Sequence, residues 1–203
     1  MQYNDCKLAE LIATRISHDL AGGIGSLSNM LECLESGENL LAEDKNILDN
    51  IAESLKARQQ FLRIAFGVST KSVSVVELQE LCEKYLATIG SHAHKINLSL
   101  KNVVSELAKY ICLCLMCAAE IVIKGANIEI EVNKNNIIVK VNSEAKLAAA
   151  KITSYKQILS GDFPDDGEAS QLVALIYLRK ILGSEVPFAL QTETEKVFTL
   201  TIG

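Results

Sequence analysis

Apolar residues recur at Leu8, Ile12, Ile16, Leu20, Ile24, Leu27, Leu31 and Leu34. Steps of three and four predict one long helix over 5–36, with Gly37 suited to a left-handed cap at its end. Glycines at 22, 23 and 25 interrupt the pattern. A second helical pattern runs from about Glu43 to Phe66 through Ile47, Leu48, Ile51, Leu55, Leu62 and Ala65, and Gly67 stops it. Two long helices with a short link form an antiparallel hairpin. A lone hairpin has little core. Two copies making a four-helix bundle would supply one, so a homodimer is expected.

Beyond a boundary near 68–71 the pattern changes. Ser74-Val-Val-Glu77 is a capping box that opens a helix to about Ile89. Residues 95–101 alternate like a strand, and 107–123 are apolar nearly all round, which suits a buried helix. Residues 127–132 and 136–141 alternate again around the turn-like Asn133-Lys-Asn135. A helix near 146–159 precedes an acidic loop, Gly161-Asp-Phe-Pro-Asp-Asp-Gly167, and a second helix spans 169–182 up to Gly183. Residues 185–192 and 196–202 close as a hairpin. This order predicts an α/β two-layer sandwich. The fold class is therefore α+β, with a helical hairpin over 1–68 and a sandwich over 71–203.

The 203 residues, 49% hydrophobic and 22% charged, are enough for a real core and exclude wholesale disorder. The net charge of −5 argues against a nucleic-acid partner. Residues 1–10 are polar and do not resemble a signal peptide. The longest uncharged apolar run, Tyr110 to Ala119, is far short of the roughly 20 residues that cross a bilayer. No membrane association and a cytoplasmic location are expected. The six cysteines are then read as thiols.

His18 is the most informative residue. At about 100° per residue, Ile16, Leu20, Leu27 and Leu34 fall within roughly 20° of the pole opposite to it. The histidine is expected to point away from the core. Ala21, Gly22 and Gly25 share its face within about 60°. Each glycine costs a helix interior roughly 1 kcal/mol relative to alanine, and a bare surface beside an imidazole is one compensation, because another protein can approach closely. Asp19 can orient the ring, favour one tautomer or take a proton as the nitrogen attacks. A solvated surface histidine beside a surface aspartate is the plainer alternative.

Other candidates carry less. Gly23-x-Gly25 matches only a fragment of the dinucleotide fingerprint, without a preceding strand. His92-x-His94 has no third metal ligand nearby in sequence. Cys112 and Cys114 lie about 200° apart on a helix and read, with Cys117, as core thiols. No metal site is expected.

Leu11-Ile-Ala-Thr-Arg-Ile-Ser-His18-Asp-Leu20 resembles the phosphoacceptor helix of sensor histidine kinases, and more closely that of ChpT-like histidine phosphotransferases of alphaproteobacterial phosphorelays. Phe61-Leu-Arg-Ile-Ala-Phe-Gly67 looks like that family's end of helix two, and Val197-Phe-Thr-Leu-Thr-Ile202 is similar to the last strand of the kinase ATP-binding fold. One departure is Gly23, where the family usually has a helix-kinking proline. Three kinase nucleotide motifs are missing. Leu115-Met-Cys-Ala-Ala-Glu120 lacks the magnesium-holding asparagine, and Val141-Asn-Ser-Glu-Ala145 lacks the adenine-reading glycines. Asp162-Phe-Pro-Asp-Asp166 and Glu168-Ala-Ser-Gln171 replace the glycine-rich lid, and acidic groups there repel phosphates.

The resemblance implies a degenerate kinase ATPase-like sandwich beside a dimeric hairpin. It implies a protein histidine phosphotransferase without ATP-dependent autokinase activity. His18 would relay a phosphoryl group from the receiver domain of a hybrid histidine kinase to a downstream response regulator, with Asp19 orienting or deprotonating it. Ala21, Gly22 and Gly25 would form the docking face. Arg15, about one turn before His18, either contacts the phosphoryl group or the partner, or makes a surface salt bridge. No cofactor is expected on this chain, and magnesium would come with the receiver. The alternatives are a non-catalytic dimeric adaptor for response regulators, an active histidine kinase core, and a metal-binding regulator using His92, His94 and cysteines.

Overall fold

The computed structural model describes residues 3–35, 42–68, 73–89, 94–134 and 136–203. Helices α1 (Asp5–Glu35) and α2 (Ala42–Phe66) form the hairpin, and α3 (Val75–Ile89) follows. The sandwich continues with β1 (Ile96–Lys101), α4 (Ala108–Glu120), β2 (Ala126–Asn133), β3 (Asn136–Ser143) and α5 (Ala149–Ser160). It ends with α6 (Asp166–Gln171), α7 (Val173–Leu182), β4 (Phe188–Thr194) and β5 (Val197–Ile202). The five strands lie in the order β1-β2-β3-β5-β4, with β1 and β2 parallel and the other pairs antiparallel.

Local chemistry sets the boundaries. At the start of α3 the Ser74 hydroxyl accepts from the Glu77 N–H at 3.3 Å, and the Glu77 carboxylate accepts from the Ser74 N–H at 2.9 Å. The expected capping box is thus formed in both directions. Helix α5 starts at Ala149 rather than 146, because the N–H groups of Leu147 and Ala148 bond outward to Glu195 and Ile121 carbonyls. Strand β4 starts at Phe188, just after Pro187, which has no N–H to give a ladder. The expected acidic loop is partly helical. Asp165 accepts the Glu168 N–H and so starts α6 inside it. The single helix expected over 169–182 is broken at Leu172, whose side chain is fully buried and whose N–H is shared between the Glu168 and Ala169 carbonyls. The cap at Gly37 lies outside the described residues. So does part of the expected domain boundary.

Helix α4 is the centre of the molecule. Every residue from Ile111 to Ala118 is fully buried, as the all-round apolar pattern requires. It packs against the sheet on one side and against α2, α3 and α7 on the other. The root of the hairpin joins this same core through Leu8, Leu11, Phe61, Leu62 and Ala65. Phe61 stacks on Tyr85 of α3 with centroids 3.7 Å apart. The far end of the hairpin is different. There Ile24, Leu31 and Ile47 are 54%, 49% and 46% exposed.

Candidate functional site

The glycines do not interrupt α1, which runs unbroken past them. They divide into two kinds. A methyl group on Gly22 or Gly25 would meet nothing within 4 Å, so both leave open surface. A methyl group on Gly23 would stand 2.6 Å from Leu55 Cδ2, so this glycine is what lets α2 pack closely. Gly23 is also the position at which the resemblance expects proline. The carbonyl of Asp19, one turn earlier, accepts from Arg58 Nη1 at 2.6 Å, while Arg58 Nη2 donates to the Thr88 carbonyl. Arg58 therefore ties α1, α2 and α3 together just below the histidine.

His18 projects into solvent with its side chain 85% exposed. Its Nδ1 lies 3.5 Å from Asp19 Oδ1. A neutral ring with its proton on Nδ1 would face that oxygen and leave the Nε2 lone pair outward. Ala21, Gly22 and Gly25 are exposed beside it, as the helical wheel requires. A groove of about 360 Å³ opens alongside, lined by Gly22, Gly23, Ser26, Ile51, Ser54 and Arg58.

Asp19 faces the other way. Its side chain is only 13% exposed, and both of its oxygens accept from Arg15 Nε, at 3.0 and 2.9 Å. Arg15 is itself 13% exposed, so it is neither a surface salt bridge nor part of the open docking face. Its Nη1 donates to Glu120 Oε1 at 2.5 Å and to the Gln171 carbonyl at 2.7 Å. That carbonyl is available because the helix breaks at Leu172. Glu120 Oε2 in turn accepts from the fully buried Tyr155 hydroxyl at 2.7 Å. A continuous polar chain thus runs from α5 through the last residue of α4 to α1 and His18.

Electrostatics in this chain are those of a dry site. Burial works against the charge on Arg15, but Glu120 and Asp19 outweigh it and hold its pKa above the ordinary value. Burial pushes the Glu120 carboxyl up, with Arg15 and Tyr155 opposing. Burial, followed by Glu120, pushes the Tyr155 phenol up. The Tyr85 phenol is raised by burial and then by Asp19, so it also borders this network.

Sequence reasoning missed Glu120 and Tyr155. It also missed Leu11, which lies only about 20° from His18 on the wheel yet is 3% exposed against the sandwich. Leu8, Leu11, Arg15 and Asp19 form one stripe, and that stripe was the available signal for a second contact face. Among the remaining candidates, His92 lies outside the described residues. His94 Nδ1 lies 3.9 Å from Glu144 Oε2. Among the described residues no group of three or more His, Cys, Asp and Glu is placed to hold a metal ion. Cys82, Cys112, Cys114 and Cys117 are buried, and burial pushes the Cys114 thiol up to about 12.

A solved structure described as that of a bacterial phosphotransferase superposes with a TM-score of 0.78, at 18% identity, over 100% of this chain and 98% of its own. The chain has the fold of that phosphotransferase. In sequence it is 38% identical over 65 residues to the protein phosphotransferase ChpT of Brucella abortus (strain 2308), a match covering 30% of this chain and 29% of the relative. The aligned region is thus under a third of that relative's length. No protein-family profile matches the chain. Among the described residues no helix is long and apolar enough to cross a membrane.

Proposed function

We propose that this chain is a histidine phosphotransferase that relays a phosphoryl group between receiver-domain aspartates through His18. One observation carries the reading: an exposed imidazole with a fixed carboxylate on its Nδ1 side stands on a helix face cleared by Gly22 and Gly25. The ChpT relative and the phosphotransferase fold agree with it.

The chemistry follows from that geometry. Nε2 attacks the phosphorus of a receiver's aspartyl phosphate. The new N–P bond forms as the P–O bond to the aspartate breaks, and the aspartate leaves with the bonding pair. The ring becomes cationic while keeping its Nδ1 proton, and Asp19 stabilises that charge. The aspartate of a second receiver then takes the phosphoryl group by the reverse steps. Catalysis is mostly positioning, as is general for phosphoryl transfer. The magnesium ion is assigned to the receiver.

The partners in this reading are the receiver of a hybrid histidine kinase upstream and a response regulator downstream, in the cytoplasm. They would dock on Ala21, Gly22, Gly25 and the groove toward Ser54. A second copy of the chain would cover Ile24 and Leu31 in a four-helix bundle. This assignment is supported by their exposure and by a further apolar groove of about 270 Å³ lined by Ile12, Ile16, Leu20, Leu62 and Phe66.

The test is a labelling experiment with two donors, a radiolabelled phospho-receiver and radiolabelled ATP. Acid-labile, base-stable label from the receiver and none from ATP is the expected result. Label from ATP alone would make the chain a kinase. Label from neither, with several receivers tried, would make it an adaptor.

A further inference from the structure

Asp19 has two claims on it. His18 needs one of its oxygens, and a guanidinium lies against both. An arginine can hold a carboxylate from its Nε edge while Nη1, on the other side of the planar guanidinium, holds a second acceptor. Here only Nε of Arg15 reaches Asp19. Nη1 is turned away, held by Glu120 at 2.5 Å and by the Gln171 carbonyl at 2.7 Å. Glu120 is held in turn by Tyr155, which is fully buried and whose hydroxyl also lies 3.0 Å from the Cys117 carbonyl.

We propose that Glu120, braced by Tyr155, is a positioning residue for His18: by holding the far side of the Arg15 guanidinium it fixes Arg15 Nε against Asp19, and so fixes the carboxylate beside the imidazole. Both residues belong to the sandwich, on α4 and α5. The sandwich then contributes to the transfer site without touching the phosphoryl group. This inference rests on the phosphotransfer reading and assigns the second half of the chain a part in it. It makes the Arg15 charge a shared one, divided between a carboxylate in the sandwich and a carboxylate beside the histidine. A purely structural ion pair makes a different prediction. It would hold α1 on the sandwich, and losing it would weaken the fold and every activity together.

The experiment is single-turnover transfer from a receiver domain that its own kinase has phosphorylated. The limiting rate and the half-saturating receiver concentration are read separately, alongside thermal melting. Glu120→Gln keeps the side-chain volume but removes the charge that anchors Arg15, so Arg15 and Asp19 lose their fixed placement. It is expected to lower the limiting rate by about tenfold with little change in half-saturation, the size that mispositioning of a reacting group produces. Tyr155→Phe removes one hydrogen bond and is expected to lower the rate about threefold. Because Glu120 acts through Arg15, Glu120→Gln should change nothing further in an Arg15→Met background.

A Glu120→Gln protein with the wild-type limiting rate overturns the proposal. So does an equal slowing by Glu120→Gln in the Arg15→Met background, and so does a rate and half-saturation that worsen together in step with the melting temperature. Should Glu120→Gln not fold, Tyr155→Phe decides alone, and an unchanged rate there counts against the proposal. A wild type that takes no label at all overturns the phosphotransfer reading and this proposal with it. That result is distinct from a wild type that labels alongside variants that label just as fast.

Discussion

The two ends of the hairpin are built from similar apolar patterns and meet different fates. At the root, Leu8, Leu11, Phe61 and Leu62 are 6%, 3%, 0% and 2% exposed, because the sandwich covers them. At the tip, Ile24, Leu31 and Ile47 stay about half exposed. His18 stands between the two. The root gives its helix a fixed base, through Arg15, Arg58 and the sandwich core, and the tip offers surface. A phosphotransfer site needs both: a histidine held still, and room for a partner to reach it.

The largest effect should come from breaking the root. Phe61→Ala removes a fully buried ring stacked on Tyr85 and should cost roughly 3–5 kcal/mol in chemical denaturation. At the tip, Leu31→Asp should leave the folding of a single chain within about 0.5 kcal/mol and act instead on association, shifting the sedimenting species toward monomer. A large loss of folding stability from Leu31→Asp would show that the tip is core and erase the contrast.

The glycines sharpen the comparison at smaller scale and with opposite signs. Gly23→Ala drives a methyl group into Leu55 and should destabilise by about 1–3 kcal/mol, as overpacking does. Gly25→Ala meets open space and should stabilise the helix by about 0.5–1 kcal/mol while slowing phosphotransfer. Thermal melts of the two variants should move in opposite directions.

A further effect lies away from the hairpin. Ser74→Ala should cost about 1 kcal/mol as a lost cap. Ser74 holds the Glu77 carboxyl below its usual value, through the hydroxyl first and the backbone N–H second. A lowered carboxyl stabilises fully above its unfolded value and loses that contribution as pH falls through the folded one. The difference between wild type and Ser74→Ala should therefore shrink on acidification.

How much of this was legible follows from what periodicity can see. The hairpin, the buried α4, the Ser74 box and the strands are local patterns and stood in the sequence. His18 could be placed because the wheel puts it opposite the apolar stripe. Arg15 was read as a surface group because its partners Glu120 and Gln171 lie 105 and 156 residues away. No local pattern brings those together. The early start of α6 was missed because Asp165 serves as its cap, while a run of acidic residues around prolines and glycines reads as loop. The wheel for α1 assumed one buried face, and Leu11 shows that its root has two.

The central claim is that phosphoryl groups pass through His18. The most direct measurement starts with a labelled phospho-receiver, adds this chain in catalytic amount, and follows label appearing on a second, unlabelled receiver. Wild type should carry label across, with transient acid-labile, base-stable label on the chain, and His18→Ala should carry none. Equal transfer by His18→Ala would contradict the account.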